Sequence, residues 1–549
     1  MRAKNKKVRF LFFCLLVANF TFALEIELPV IFADGMVLQQ EQTVPIWGTT
    51  DAGAVVKVKF DGQEKSTTAD SKGAWLINLA PLKASSKSRT LVIWSEFNGE
   101  ISKVEINDVL VGEVWICSGQ SNMYRPFRML VGKAREPKYE PIAEYLRKEA
   151  ATANDPLFRQ FKVGRAHSVF KEQSKGRGNW SKAISGEVNE FSGTAYFFAK
   201  ELRKKLNVPV AIISVNLGGT RIEPWMPISA FKNNKSFETY YNREIVEYQK
   251  QLKLWDDVTE QEKYNEAIKA WEKEVKKAEK EGGKLPDKPR KPEHPSRNKQ
   301  IPATLYNAMI HPLIPFAVKG AIWYQGESNS KNFPEEYGMR LSALIKGWRE
   351  AWQQDTFYFY CCQLANYRDA NEAPVGDEDG WAVLSNHQQE ILKLPNTGMA
   401  VLNDIGEAKD IHPKNKVDVG KRLSLWALKQ AYNKDLVYSG PLYKSSKVKG
   451  NKVIIKFNHV GSGLMVGKKE LMNPTVEVNE PLKRFQICGK NGVWKWANAK
   501  IIAKDKVAVW HQDIANPMEV RYAWSSNPEG ANLYNKEGLP ASIFKTGNL

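Results

Sequence analysis

Ser121 lies in the stretch Trp115–Met123, read WICSGQSNM. A β-prone, apolar run (Val111, Val114, Trp115, Ile116, Cys117) gives way there to Ser118-Gly119 and then presents Gln120, Ser121 and Asn122. A buried strand ending in a glycine-containing turn fixes the backbone and exposes one hydroxyl, the placement an activated nucleophile needs. A plain Ser-Gly turn with a capping serine has the same appearance, so the reading depends on residues elsewhere. A serine nucleophile requires a base and a group to hold that base. The chain has only 7 histidines, which permits elimination. His294 falls in a Pro-rich stretch, His459 and His511 in a C-terminal β region, and His387 in a helical one. His311 precedes a proline in a helix-to-strand connection, and His167 has no strand-edge placement. His412 alone follows a sheet strand within a loop, Lys409-Asp-Ile-His-Pro413. In an extended segment Asp410 and His412 project to the same side, so the carboxylate can orient the imidazole and stabilise its cation.

A tetrahedral oxyanion needs donors, and small residues let backbone approach it. The N–H groups of Ser121 and of Gly219, in Gly218-Gly-Thr220, suit that role, with the side-chain amide of Gln325 as a third candidate. Tight turns alone would also account for these glycines. Glu327 adds a carboxylate to the same cluster, either as a brace or as the true partner of His412. The pattern contains neither C-x-x-C nor H-E-x-x-H, so no structural or catalytic metal is expected. Cys117 reads as a small buried hydrophobe, and a bridge between adjacent Cys361 and Cys362 would be strained.

These residues need a scaffold, and the middle of the chain supplies strand–helix alternation. Strand Val109–Cys117 delivers Ser121. Helix Gly193–Leu206 carries an apolar stripe, and strand Val210–Val215 runs into Asn216-Leu-Gly-Gly-Thr220. Strand Val318–Tyr324 runs into Gln325-Gly-Glu-Ser-Asn329, followed by helix Glu335–Trp352 and strand Phe357–Leu364. A helix near Leu384–Leu392, strand Met399–Leu402, the loop Asp404–Lys416 and helix Val417–Tyr432 complete the series. Such units predict an α/β fold, a mainly parallel sheet with helices on both faces. Each motif follows a strand, at the carboxyl edge where such sheets bind ligands.

Leu24–Asn107 reads as all-β, with short alternating runs and turns suggesting a small sandwich module. The expected catalytic domain is 108–433. It contains a charged helical insertion, 240–300, rich in Glu and Lys and ending in a Gly/Pro/Lys-rich loop that reads mainly as a solvated excursion. A second β region follows over 434–549. Arg2, Lys4, Lys6, Lys7 and Arg9 precede the apolar run Phe10–Phe20 and end at Thr21-Phe22-Ala23, the pattern of a signal peptide over 1–23. Its run is too short to span a bilayer, so an exported, soluble product, periplasmic or extracellular, is expected without stable membrane insertion. The formal net charge of +19 is partly the leader's, and no stacking motif interleaves the lysines, so nucleic-acid binding has no motif behind it. A basic surface could attract acidic sugars instead.

With these residues in view, the chain resembles the sialate O-acetylesterase family of SGNH-type hydrolases, related to acetylxylan esterases. The matching segments are Ser118-Gly-Gln-Ser-Asn-Met123, Gly218-Gly-Thr220, Trp323-Tyr-Gln-Gly-Glu-Ser-Asn329, Thr397-Gly-Met399, Asp404-Ile-Gly406 and Asp410-Ile-His-Pro-Lys-Asn-Lys416, with Val520–Trp524 through Leu539-Pro540 near the end. The resemblance implies an SGNH-type three-layer α/β/α domain with accessory β-sandwich modules. It implies a secreted esterase that removes acetyl groups from sugars through an acyl-enzyme, with no cofactor. Ser121 would be nucleophile, His412 base and then acid, and Asp410 the orienting acid. Ser121, Gly219 and Gln325 would be oxyanion donors, with Glu327 and Asp404 as supporting or alternative acids. Gln120, Asn122, Arg221 and Asn329 are candidate substrate contacts. Two departures stand out: Tyr124 where an acidic residue is common, and Arg221 where proline is common. Arg221 suits a substrate carboxylate, such as that of sialic acid, or a local acid such as Glu223. The substrate would be an O-acetylated sugar, sialic acid esters first and acetylated polysaccharide second. A non-catalytic glycan-binding protein and a basic scaffold are the rival readings.

Overall fold

The computed structural model describes residues 24–547, apart from 133–135 and 355. The predicted leader, 1–23, lies outside the described residues. Seven strands form the central sheet: β1 (Glu100–Gly119), β2 (Asn154–Val163), β3 (Gly178–Ile184), β4 (Val210–Asn216), β5 (Gly320–Tyr324), β6 (Tyr358–Cys362) and β7 (Thr397–Ala400). Their spatial order is β7-β6-β5-β1-β4-β2-β3, and every pairing is parallel except the edge pair β2–β3. Every residue of β4 and β5 is buried, as expected of parallel strands covered on both faces.

Opposite faces are filled by different aromatic clusters. Trp115 of β1 packs edge-on against Phe198 of helix α2 (Gly193–Leu206). Trp323 of β5 meets Trp348 of helix α3 (Tyr337–Trp352) and Trp225. Helix α4 (Lys416–Gln430) lies against α2, and a Cβ on its Gly420 would come within 2.5 Å of the Phe198 nitrogen. Glycine is what permits that approach. Helix α2 starts at Ser192, whose hydroxyl accepts from Ala195 N–H, and stops at Asn207, which takes the left-handed conformation at φ 55°.

The N-terminal β segment and the sheet share a strand. β1 runs for 20 residues. Its first half pairs antiparallel with Ser85–Phe97, and Leu110–Gly112 pair in parallel with Val37–Gln39. Its last half carries β4 and β5. Between the halves the register slips, with Asp108 at φ 55°. Arg159 of β2 pins that kink, donating to the Asp108 carboxylate at 2.9 Å and to its carbonyl at 2.5 Å. The C-terminal region forms further, antiparallel sheets around a separate apolar core that includes Val453, Ile455, Ile487, Val507 and Tyr522. The charged insertion contains two helices, Lys235–Leu254 and Asp257–Glu281; no residue of the second is buried. Four cysteines, Cys117, Cys361, Cys362 and Cys488, are buried and free. Among the described residues no helix is long and apolar enough to cross a membrane.

Candidate active site

Three strands end together. Gly119 of β1 is in register with Asn216 of β4 and with Tyr324 of β5. Consequently Gln120-Ser121-Asn122, Leu217–Thr220 and Gln325–Asn329 leave the sheet side by side, at its carboxyl edge. Gly119 has φ +138°, and a Cβ there would sit 2.2 Å from the Tyr324 carbonyl oxygen, so only glycine lets the strand turn so tightly beside β5. The four-residue helix α1 (Ser121–Tyr124) begins directly on the serine.

His412 Nε2 lies 2.8 Å from Ser121 Oγ. Its Nδ1 lies 3.2 Å from Asp410 Oδ1, which also accepts the His412 backbone N–H at 2.9 Å. Asp410 Oδ2 accepts from the Lys414 ammonium at 3.1 Å, and Lys414 is itself paired with buried Glu407 at 2.5 Å. Burial opposes ionisation of Asp410, but the His412 N–H and Lys414 outweigh it and hold the carboxyl below its ordinary range. Burial, and after it the cations of Arg125 and Lys416, pull the His412 imidazole down to about 4, against the pull of Asp410. The imidazole is therefore neutral at pH 7.

The Gly-Gly turn faces the serine. A Cβ on Gly218 would stand 3.4 Å from Ser121 Cβ, and Gly219 has φ +67°. Among the described residues, neither Ser121 N–H nor Gly219 N–H is engaged by an acceptor. This turn is held from outside by the foot of the insertion. Lys299 donates to the Gly218 carbonyl at 2.7 Å, and the Gln300 amide donates to the Gly219 carbonyl at 2.6 Å. Gln300 Oε1 accepts Arg221 N–H at 2.9 Å. The insertion is therefore not only the solvated excursion its composition predicts: its last residues form part of the site's wall.

Other expected site residues face inward. The Gln325 amide donates to Thr220 O at 3.1 Å, to Asn329 Oδ1 at 2.8 Å and to Gln120 Oε1 at 3.2 Å, away from the serine hydroxyl. Asn329 donates to the Glu223 carboxylate and accepts Ile222 N–H, while Gln120 also accepts Ser328 N–H. Asn122 is 2 % exposed: it donates to Glu327 and to Ile411 O, and accepts from Lys416 at 2.6 Å. Buried polar groups must be satisfied, and these residues satisfy one another. Through Ile411 the same asparagine ties the nucleophile's turn to the His412 loop. Glu327 is buried, which raises its carboxyl, and it contacts Asn122 rather than His412. Burial pushes the Lys416 ammonium down to about 7. Asp404 sits elsewhere, gripped by Arg422 through two bonds of 2.6 and 2.8 Å and by the Tyr534 hydroxyl. Arg221 reaches toward Gln300 O and Glu244, not Glu223, which is taken by Arg340. Tyr124 lies under the Arg165 guanidinium, 4.9 Å from ring centre, in a cleft of about 480 Å³ that also includes Lys162 and Asn216. Arg125 escaped sequence reasoning, although a basic residue one helical turn beyond the serine was visible.

Comparison with known proteins gives concordant likenesses. Residues 295–429 match the family described as carbohydrate esterase, sialic acid-specific acetylesterase. Sialate O-acetylesterase of Rattus norvegicus is 27% identical, over 93% of this chain and 92% of that protein. The Homo sapiens protein of the same name is 26% identical, over 93% of this chain and 90% of that protein. The crystal structure of a carbohydrate acetylesterase from Xanthomonas citri superposes with a TM-score of 0.74 at 33% identity, covering 96% of this chain and all (100%) of that one. The fold, with its strand-edge site, and these likenesses define a carboxylic ester hydrolase of the carbohydrate-esterase class. Within that class, the chain belongs to the sialate O-acetylesterase family.

Proposed function

We propose that this esterase removes O-acetyl groups from sialic acids through a covalent acyl-enzyme on Ser121, and that it does so outside the cytoplasm after loss of the 1–23 leader. The observation that carries the mechanism is the 2.8 Å approach of His412 Nε2 to Ser121 Oγ. In the reactive arrangement Nε2 accepts the serine proton as Oγ attacks the acetyl carbonyl carbon. The developing oxyanion is met by the N–H groups of Ser121 and Gly219. The imidazolium, stabilised by Asp410, then protonates the departing sugar oxygen. Water enters, gives a proton to Nε2 and releases acetate, and Ser121 recovers its proton. The Arg165 guanidinium beside Tyr124 suits a sugar bearing a carboxylate, Lys162 in the same cleft being paired with Glu190.

A second substrate reading is another acetylated carbohydrate, such as acetylated xylan, in keeping with the 33% identity to a protein described as a carbohydrate acetylesterase. Acetate release from O-acetylated sialic acid and from acetylated xylan, with Ser121→Ala as control, separates them. Release from sialic acid alone supports the proposal, and release from xylan alone keeps the mechanism with another sugar. Undiminished release by a folded Ser121→Ala protein removes Ser121 from the chemistry. Turnover of neither substrate by a folded protein, with retained binding to the glycan, favours a binding role.

A further inference from the structure

Arg125 is a 6 % exposed arginine whose guanidinium meets the wrong side of His412 for catalysis. Its Nη2 lies 2.8 Å from His412 Nδ1, closer than Asp410 Oδ1 at 3.2 Å. An arginine N–H can only donate, and the guanidinium does not give up its proton. Nδ1 must therefore offer its lone pair, which leaves the ring proton of a neutral imidazole on Nε2. That proton points at Ser121 Oγ, 2.8 Å away. In this tautomer Nε2 has no lone pair to take the serine proton.

We propose that Arg125 is a positioning residue that holds His412 in a resting tautomer and must withdraw from Nδ1 for the ester to be attacked. The inference rests on the reading of His412 as the base. On withdrawal, one proton passes from Nε2 to solvent water and one arrives at Nδ1 from water. Nδ1–H then donates to Asp410 Oδ1, and the net charge of the site is unchanged. The geometry is suited to such an exchange. Both Asp410 oxygens already have donors, His412 N–H on one and Lys414 on the other, so the carboxylate does not by itself dictate the ring proton. Arg125 is firmly based, its own N–H bonded to Ser121 O at 2.9 Å and its carbonyl accepting from Gly193 N–H at 2.9 Å, so only the side chain has to move. The charged and titratable groups around the imidazole are Arg125 beyond α1, Lys416 from α4, and Asp410, Lys414 and Glu407 from its own loop. Glu327 acts from β5's exit through Asn122.

The test reads the tautomer directly, by nitrogen-15 NMR of the histidine-labelled full chain at pH 7 without substrate, with His412→Gln to assign the resonances. Wild type is expected to show protonated Nε2 and bare Nδ1; Arg125→Met should show the reverse. In kcat/KM against pH, Arg125→Met should move the acid limb upward by about one unit, as loss of a neighbouring cation does. Arg125→Lys, which keeps the charge, should hold the limb near its wild-type position. Protonated Nδ1 in the wild-type enzyme overturns the proposal, and needs no variant to fold. An Arg125→Met protein that loses activity with an unchanged tautomer also overturns it and leaves a bracing role. Because the tautomer is read without turnover, its failure is distinct from failure of the esterase reading, which Ser121→Ala reports.

Discussion

Ser121 and His412 stand 291 positions apart in sequence and touch in space. Both could be reached from the sequence because their chemistry is local: a serine after a strand and glycine turn, and a carboxylate two residues before a histidine. Arg125, Lys416 and Ile411 could not, since what matters about them is a contact closed by the fold across almost the whole catalytic region. The inward-facing placement of Gln120, Asn122 and Asn329 was equally hidden. A polar residue at a strand edge looks the same whether it faces solvent or a buried partner. The low position of His412, about 4, sets the pH response. The neutral imidazole is the active form, so depressing its pKa extends activity toward acid. We expect kcat/KM to stay level from neutrality to about pH 5 and to halve near pH 4; a midpoint at the ordinary histidine value would contradict this. Removing the orienting acid, Asp410→Asn, should cut kcat by about 10⁴-fold. Glu327→Gln keeps an acceptor for Asn122, and its loss should stay below about tenfold, roughly one hydrogen bond. Steady-state kinetics on both variants, with circular dichroism to verify folding, reverses the assignment if Glu327→Gln is the worse.

Helix α2 was legible to its last residue because its stripe, its capping serine and its basic last turn all agree. Strands β4 to β7 match their expected bounds within about two residues at either end, as expected where whole strands are apolar, whereas β1 begins at Glu100, well before the expected Val109. β2 and β3 are absent from the expected strands: β3 is the sheet's edge, and in both strands polar residues such as Arg159 and Gln160 interrupt the apolar ones, leaving neither a continuous apolar run nor a clean alternation. The two insertion helices announce themselves by Glu and Lys content, but nothing in that content says that Lys299 and Gln300 close on the Gly-Gly turn 81 residues earlier. This clamp has a kinetic meaning. Gln300→Ala frees the Gly219 carbonyl and Arg221 N–H, and the turn loses its orientation toward the developing oxyanion. We expect kcat to fall about tenfold or more, with KM within about twofold and thermal stability nearly unchanged. A rise in KM alone would place Gln300 in substrate binding instead.

Across the whole molecule the N-terminal β segment and the α/β region share one apolar core and one continuous strand, while the C-terminal sheets enclose a second core. Glu113, buried in that strand, is served by Gln39, Gln40 and Tyr432. A chain starting at Asp108 loses two of those partners and bares Leu110 and Val111, which otherwise pair with Val37–Gln39. Such a chain should be recovered as aggregate, whereas one starting at Leu24 stays soluble; sedimentation and acetate release compare them, and an active Asp108 chain would refute the dependence. The kink at Asp108 therefore marks no joint at which segments can be exchanged. A chimera spliced at Asn107 inherits half a strand from each parent, and the half that leads to the serine must then pair its Leu110–Gly112 with a foreign counterpart of Val37–Gln39. The unit of inheritance is Leu24–Asn122, nucleophile turn included, so a crossover that replaces the N-terminal sheet must carry Ser121 with it.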